Sequence, residues 1–269
     1  MDILFLQGPH LLNHSISVTL PPLGFLAVAG YLREKGFSVR VVDCCIYQWG
    51  WKTTERLIKT LDPQIVGIGG PIAWLNENLR LARLIKQINP NCTILYGGPA
   101  ISIAPELALF KGSPIDFVIF GEGEKIVEEL LLTLKKDPEK RDFTNIKGIL
   151  YLKNGHITEL KRRPLIKNLD ELPIPAYDLL PIERYGNAME LWIKGVPVYH
   201  SRGCTGGCKF CACWGPMSDF NKESESNQMI PKWRTKSVKK MLEELKYIED
   251  KWKRELFVFI DDTWNVNPK

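Results

Sequence analysis

The first half of the chain alternates short apolar runs with amphipathic stretches. "DILFLQ" (2–7), "SVRVVD" (38–43), "QIVGIG" (64–69), "TILYGG" (93–98) and "DFVIFG" (116–121) are β-branched and apolar on both faces, as parallel strands buried on both sides are. Helical patterns lie between them. "LGFLAVAGYLREKG" ends at Gly36, a good residue just past a helix C-terminus. "WLNENLRLARLIKQINP" carries Leu75, Leu79, Ala82 and Ile85 at helical spacing and stops before Pro90. "EKIVEELLLTLKK" is acidic early and basic late, which matches the helix dipole. Strands alternating with helices in this way predict an α/β fold built on an open, doubly wound (Rossmann-like) parallel sheet.

Glycines recur where these strands end: Gly8-Pro9, Gly69-Gly70-Pro71, Gly97-Gly98-Pro99 and Gly121-Glu122-Gly123-Glu124. In such sheets the ligand crevice lies outside the carboxyl ends of the strands, and glycine lets a ligand approach the backbone. A single Gly-Pro corner need only turn the chain. Four corners on one edge favour a large flat ligand lying across them, with Gly8, Gly70, Gly98, Gly121 and Glu122 as its candidate contacts. The chain has neither a G-x-G-x-x-G with an acidic residue at dinucleotide spacing nor a G-x4-G-K-[ST], so nicotinamide and nucleoside triphosphate readings are weak.

Asn154-Gly155 sits between two alternating runs in "GILYLKNGHITELK", a β-hairpin signal. The segment "NLDELPIPAYDLLPIERYG" is proline-rich and aperiodic, the best linker candidate. "VPVYHS" then reads as a strand, "KSVKKMLEELKYIEDKWK" as a helix and "ELFVFIDD" as a second strand. The expected division is residues 1–142 as the doubly wound domain, 143–190 as hairpin and linker, and 191–269 as a region of about two βα units.

Composition adjusts this picture only slightly. A chain of 269 residues with 45% apolar and 25% charged residues is an ordinary globular protein. Its net charge of +5 is spread along the sequence and makes no case for nucleic acid. "MDILFLQGPH" lacks a basic n-region, and no uninterrupted apolar stretch reaches the roughly 18 residues of a membrane span. A cytoplasmic protein is expected, in which the seven cysteines bind metal, catalyse or pack rather than form disulfides.

Three of those cysteines fall in "SRGCTGGCKFCACW", at Cys204, Cys208 and Cys211, spaced C-x3-C-x2-C. A structural zinc wants four ligands, commonly as two separated pairs, and no second pair is present; Cys213 could complete four only in a cramped run. A disulfide knot suits a reducing compartment poorly. A cubane iron–sulfur cluster normally has a cysteine on each of four irons, so three close cysteines would leave one iron open to a small molecule. Cys44, Cys45 and Cys92 flank strands and read as small core residues.

The run "SRGCTGGCKFC" after an apolar strand resembles the radical SAM superfamily, whose signature is C-x3-C-x2-C with an aromatic residue before the last cysteine. "DELPIPAYDLLP", "WRTKS" and "FVFIDDTW" resemble segments of those members that carry an N-terminal cobalamin-binding domain. So do "PPLGFLAVAGYLREKGFSVRVVD", "IVGIGG", "ILYGGP" and "VIFGEGE" in the first half. The resemblance implies that Cys204, Cys208 and Cys211 bind a [4Fe–4S] cluster and that Phe210 lies beside the adenine of S-adenosylmethionine (SAM). Gly203, Gly206 and Gly207 would let the loop wrap the cluster. One of Asp261 and Asp262 would approach SAM, and the glycine edge would hold cobalamin. It also implies that residues 191–269 are the first βα units of a partial TIM barrel. Cys213 has no counterpart in the signature and reads as a packed or exposed thiol.

Two departures stand out. The D-x-H-x-x-G motif that supplies a histidine to cobalt in classical cobalamin domains is absent, and His10 and His14 read as solvated loop residues. The superfamily barrel has six βα units where this chain ends after two, so a fragment with little activity of its own is expected. The chemistry implied is SAM cleavage to a 5′-deoxyadenosyl radical, used for methylation, cyclisation or rearrangement at an unactivated carbon. The implied partners are a small-molecule, lipid-like or tetrapyrrole-like substrate and an electron donor such as flavodoxin or ferredoxin. A cobalamin-free radical SAM enzyme and a non-catalytic metal- or corrinoid-binding module are the alternatives.

Overall fold

The structure is a computed structural model that describes residues 1–10, 20–185, 195–211, 215–220, 229–264 and 266. Five strands form where the apolar runs predict them: β1 (Ile3–Gln7), β2 (Val39–Asp43), β3 (Ile65–Gly69), β4 (Thr93–Gly97) and β5 (Phe117–Ile119). They pair in parallel in the order β2-β1-β3-β4-β5. A sixth strand, β6 (Ile149–Leu150), closes the far edge antiparallel to β5. Helices α1 (Leu23–Glu34), α2 (Trp51–Leu61), α3 (Leu75–Ile88), α4 (Pro99–Ile103) and α5 (Gly123–Leu134) connect the parallel strands and follow the last of them. The mixed α/β fold with a parallel-dominated sheet is the one the alternation predicts. The helix at α2 went unread in the sequence.

Both faces of the sheet are covered, and period-2 alternation sorts its side chains. Ile3 and Phe5 point into a core with Leu26, Leu32, Ile126 and Leu130 of α1 and α5. Leu4 and Leu6 point into the opposite core with Ile58, Leu81 and Ile85 of α2 and α3. The Asn154-Gly155 turn joins β7 (Leu152–Lys153) to β8 (His156–Ile157), with φ of 53° and 81° at its two residues, as the hairpin signal requires.

The proline-rich segment is not a loose spacer. Leu169, Leu172, Ala176, Tyr177, Leu180, Ile182 and Tyr185 are all buried and belong to the α1/α5 core. This strap crosses α1 at Gly30, where an added Cβ would lie 2.9 Å from the Ile174 carbonyl oxygen. The Ala176 N–H donates to the Leu26 carbonyl at 2.9 Å. The Tyr185 hydroxyl donates to the buried Asp43 carboxylate at 2.8 Å, and the Tyr177 hydroxyl to Glu244 at 2.9 Å.

Past the strap come β9 (Val196–Val198), β10 (Ser201–Arg202), β11 (Ser218–Phe220), β12 (Met229–Pro231), β13 (Arg234–Thr235), α6 (Val238–Trp252) and β14 (Phe257–Phe259). β9 and β14 pair in parallel with α6 between them in sequence, a βαβ unit. β10 pairs antiparallel with β13, and β11 with β12. Val196, Val198, Met241 and Ile248 continue the core that starts at Ile3. Among the described residues, no helix is long and apolar enough to cross a membrane.

Candidate functional site

The carboxyl ends of β1, β3, β4 and β5 face the segments after β9 and β14 across a cavity of about 640 Å³. One wall is the glycine edge, with Gly69–Pro71, Gly97–Pro99 and Gly121–Glu124; the other holds Tyr199, Ser201, Arg202, Gly203, Met217, Asp261 and Asp262. The sheet order reverses at β1/β3, and such a switch point opens a crevice at the strand ends.

Glycine is required at two of these corners. Gly70 has φ +140°, and a Cβ there would lie 2.4 Å from the Trp74 ring. Gly98 has φ +121°, with the Gly70 carbonyl oxygen 3.0 Å from its would-be Cβ. Both corners therefore present bare backbone beside the indole of Trp74. Phe25, Leu23, Val28 and Pro22 make much of the remaining surface apolar. Of the predicted contacts, Gly70, Gly98, Gly121 and Glu122 line the cavity, whereas Gly8 sits against Leu81 on the other side of the sheet end.

His10 is not the solvated loop residue its position suggested. It is 5% exposed and stacks on Trp74 with ring centroids 4.2 Å apart. Neither ring nitrogen has a hydrogen-bond partner, and burial pushes its pKa down to about 4. A buried, neutral imidazole without a partner is uncommon in a folded protein. His14 lies outside the described residues.

Cys204 and Cys211 are half-buried and Cys208 is exposed. The sulfurs of Cys204 and Cys208 lie on one side of Gly206, 3.7 and 3.6 Å from where its Cβ would be. Cys204 Sγ accepts from the Gly206 N–H at 3.3 Å and from the Thr263 hydroxyl at 2.8 Å. Among the described residues, no three His, Cys, Asp or Glu side chains converge on a point where one metal ion could sit. A cubane does not need that convergence, because each thiolate binds a different iron. The donor set fits such a cluster: three thiols on one glycine-rich loop, at least one already hydrogen-bonded. Phe210 is 93% exposed. Cys213 lies outside the described residues.

Asp261 ties the end of β14 to the end of β9. Its carboxylate accepts from the Ser201 N–H at 2.6 Å, the Ser201 hydroxyl at 2.5 Å and the His200 N–H at 3.1 Å. The His200 Nδ1 also lies 2.8 Å from it, off the line of a good hydrogen bond. Asp262 lines the cavity beside it. The "GEGE" corner and the cysteine strand meet through ion pairs. Arg202 donates to Glu122 at 3.0 Å and to Glu124 at 2.6 Å, and Arg234 donates to both Glu122 oxygens at 3.0 and 2.9 Å. Sequence reasoning missed Arg202, Arg234, Glu124 and Thr263 as site residues. In "GEGE" only Gly121 and Glu122 read as site residues, and nothing local pairs the motif with arginines 78 or more positions away.

Residues 9–131 match the family model described as the B12 binding domain. An uncharacterized methyltransferase, PH0819, of Pyrococcus horikoshii is 34% identical over all of this chain and 55% of its own length. An anaerobic magnesium-protoporphyrin IX monomethyl ester cyclase of Synechocystis is 27% identical over 99% of this chain and 50% of its own. The chain thus spans about half the length of these curated relatives. In fold it is similar to the cobalamin-dependent SAM radical enzyme OxsB, solved with aqua-cobalamin and SAM bound. The TM-score is 0.74 at 18% identity, covering 97% of this chain and 34% of OxsB.

Proposed function

We propose that this chain, whose residues 9–131 match the B12 binding domain, is a radical SAM protein with an N-terminal cobalamin-binding domain, and that it binds cobalamin, a [4Fe–4S] cluster and SAM for methyl transfer to an unactivated carbon of a small molecule. The observation that carries the reading is the cavity, which has the bare glycine edge on one wall and the strand entering the cysteine loop on the other. Residues 1–142 are the corrinoid-binding domain, 143–190 the hairpin and strap, and 191–269 the beginning of a partial barrel.

In this reading Gly70, Gly98 and Gly121 admit the flat corrinoid against the backbone, and Trp74 with the apolar residues of α1 excludes water from it. Cys204, Cys208 and Cys211 hold the cluster, with Gly206 and Thr263 supplying hydrogen bonds to Cys204. Asp261 holds the turn at His200-Ser201, and so fixes how the chain enters the loop; Asp262 and Phe210 are its SAM contacts. When bound, the cluster supplies the electron that cleaves SAM to a 5′-deoxyadenosyl radical, and the corrinoid supplies a transferable methyl group. The protein's part is to orient both and to keep the cavity dry. A soluble electron donor of the flavodoxin or ferredoxin type would be the partner that reduces a cluster held there.

The test is anaerobic reconstitution with iron and sulfide, with Cys208→Ala as control, followed by reduction and EPR, together with hydroxocobalamin binding followed by absorbance. A cubane signal in the native chain alone, with retained corrinoid, supports the reading. Zinc retained at the three cysteines, or no corrinoid, overturns it. Tetrapyrrole rather than methylated product would move the reaction to the cyclase side of the relatives.

A further inference from the structure

The cavity has two walls that come from distant parts of the chain, and four charged side chains join them. Glu122 precedes α5, Glu124 is in its first turn, and Arg202 and Arg234 face each other across the β10/β13 pair. Glu122 and Glu124 are 9% and 2% exposed. Arg234 also donates to the Ile166 carbonyl at 2.6 Å, and the Ile166 N–H donates to Glu122 at 2.8 Å, so the chain just before the strap is tied into the same cluster. The net charge of the four is zero, and the two carboxylates offset the repulsion that the two facing guanidiniums would otherwise feel.

Such a cluster is a poor way to gain stability. Removing charges from water costs several kcal/mol per ion, and apolar residues of similar volume often do as well or better. Here the cluster is not even fully satisfied, since Glu124 Oε2 and Arg234 Nε lack hydrogen-bond partners. What ion pairs supply and apolar contact does not is a fixed register: Arg202 spans Glu122 and Glu124 with its two terminal nitrogens while one Arg234 nitrogen reaches both Glu122 oxygens, and such charged hydrogen bonds tolerate little sliding. Burial pushes Glu124 toward neutrality, but the Arg202 charge and hydrogen bond outweigh it and hold the carboxyl below its usual range. Glu124 therefore stays ionised at neutral pH.

We propose that Glu122, Glu124, Arg202 and Arg234 are positioning residues, an ionic clamp that fixes the gap between the glycine edge and the cysteine strand and so sets the spacing of the corrinoid and the cluster. The second half of that statement rests on the function proposed above; the first does not. Arg202 is two residues before Cys204, and Glu122 is next to Gly121, so each pair in the clamp reaches within two residues of a cofactor-facing position.

The variant to make is Arg234→Met in the full chain, since Arg234 does not itself line the cavity and reaches it through Glu122 and Met217. Hydrogen exchange is followed by mass spectrometry. Exchange at 121–124 and 199–203 is expected to speed by about tenfold or more, a local opening, with β1, β3 and β4 unchanged and Arg234→Lys intermediate. With hydroxocobalamin and reconstituted cluster loaded and both reduced to paramagnetic states, the spin–spin interaction between cobalt and cluster is expected to weaken or broaden. Glu124→Gln, which keeps the shape, takes the place of the methionine variant if that one fails to fold. Unchanged exchange at both segments, equal acceleration in β1–β4, or a spin coupling identical to the native chain overturns the clamp. Native protein that loads no corrinoid or no cluster overturns the proposed function instead, and the exchange arm still decides whether the clamp exists.

Discussion

Six strands share one sheet in the N-terminal region, with a core on each face. Beyond Gly195 no described sheet has more than two strands, and Leu256, Val258, Phe259, Ile260 and Trp264 are 37–58% exposed. The first region is specified by apolar pattern, in which a one-residue slip would move each strand's side chains from one core to the other. The second shares the apolar core of the first and is held against it by polar ties as well: the clamp and the tyrosines of the strap. Apolar packing fixes which face is inside, while hydrogen-bonded charges fix where one body sits against another. The site needs both, because one of its walls comes from each region.

The comparison breaks most completely at the cysteines. Replacing Cys204, Cys208 and Cys211 together by alanine is expected to abolish reconstituted iron and sulfide. Hydroxocobalamin affinity should stay within about twofold, since none of the three lines the cavity. A matching loss of corrinoid would mean that the two regions do not hold separate cofactors.

The next effect belongs to the first region. His10 titrates at about 4 when folded against 6.5 for its reference value, so the unfolded chain takes up a proton first as pH falls. The stability due to neutral His10 is complete above pH 6.5 and is lost as pH drops toward 4, by at most about 3 kcal/mol. His10→Phe should flatten urea-derived stability over that interval; an unchanged slope would show that His10 is not buried as a neutral ring.

Tyr185→Phe probes the tie between strap and sheet. Asp43 also accepts from Gln7 at 3.1 Å and from the Cys45 N–H at 2.9 Å, and its burial already raises its pKa. Losing the tyrosine donor should cost about 1–3 kcal/mol, read by chemical denaturation. Because a buried carboxyl with a raised pKa favours folding when protonated, the deficit should grow as pH rises above the usual carboxylate range. The smallest effect is Thr263→Val, which removes the hydroxyl donated to Cys204. Fewer hydrogen bonds to a cluster sulfur should lower its reduction potential in an EPR-monitored titration, with Thr263→Ser restoring it.

The parallel sheet and its glycine edge were legible because each strand announces itself within six residues, and β-branched runs ending in Gly-Pro mean much the same wherever they occur. Helix α2 was legible in principle: Leu57, Ile58 and Leu61 with Thr54 follow helical spacing, though Thr53 and Thr54 mask it. The strap's burial was not. Its apolar residues have no period, because they pack as a wandering segment rather than as one face of an element. His10 depends on Trp74, sixty-odd positions on, and the clamp on residues farther apart still. Polar partnerships at such separations leave no local trace, so three of the four clamp residues could be found only in three dimensions.

Gly30 carries one last consequence. It is the spot on α1 where the strap passes close enough to graze the helix backbone. The absence of a single methyl there acts as a routing instruction: it decides the lane by which the polypeptide leaves the sheet, and hence from which direction every later residue arrives. Alanine at that position would act like a pebble under a rail, moving nothing nearby very far yet displacing the distant end of the track.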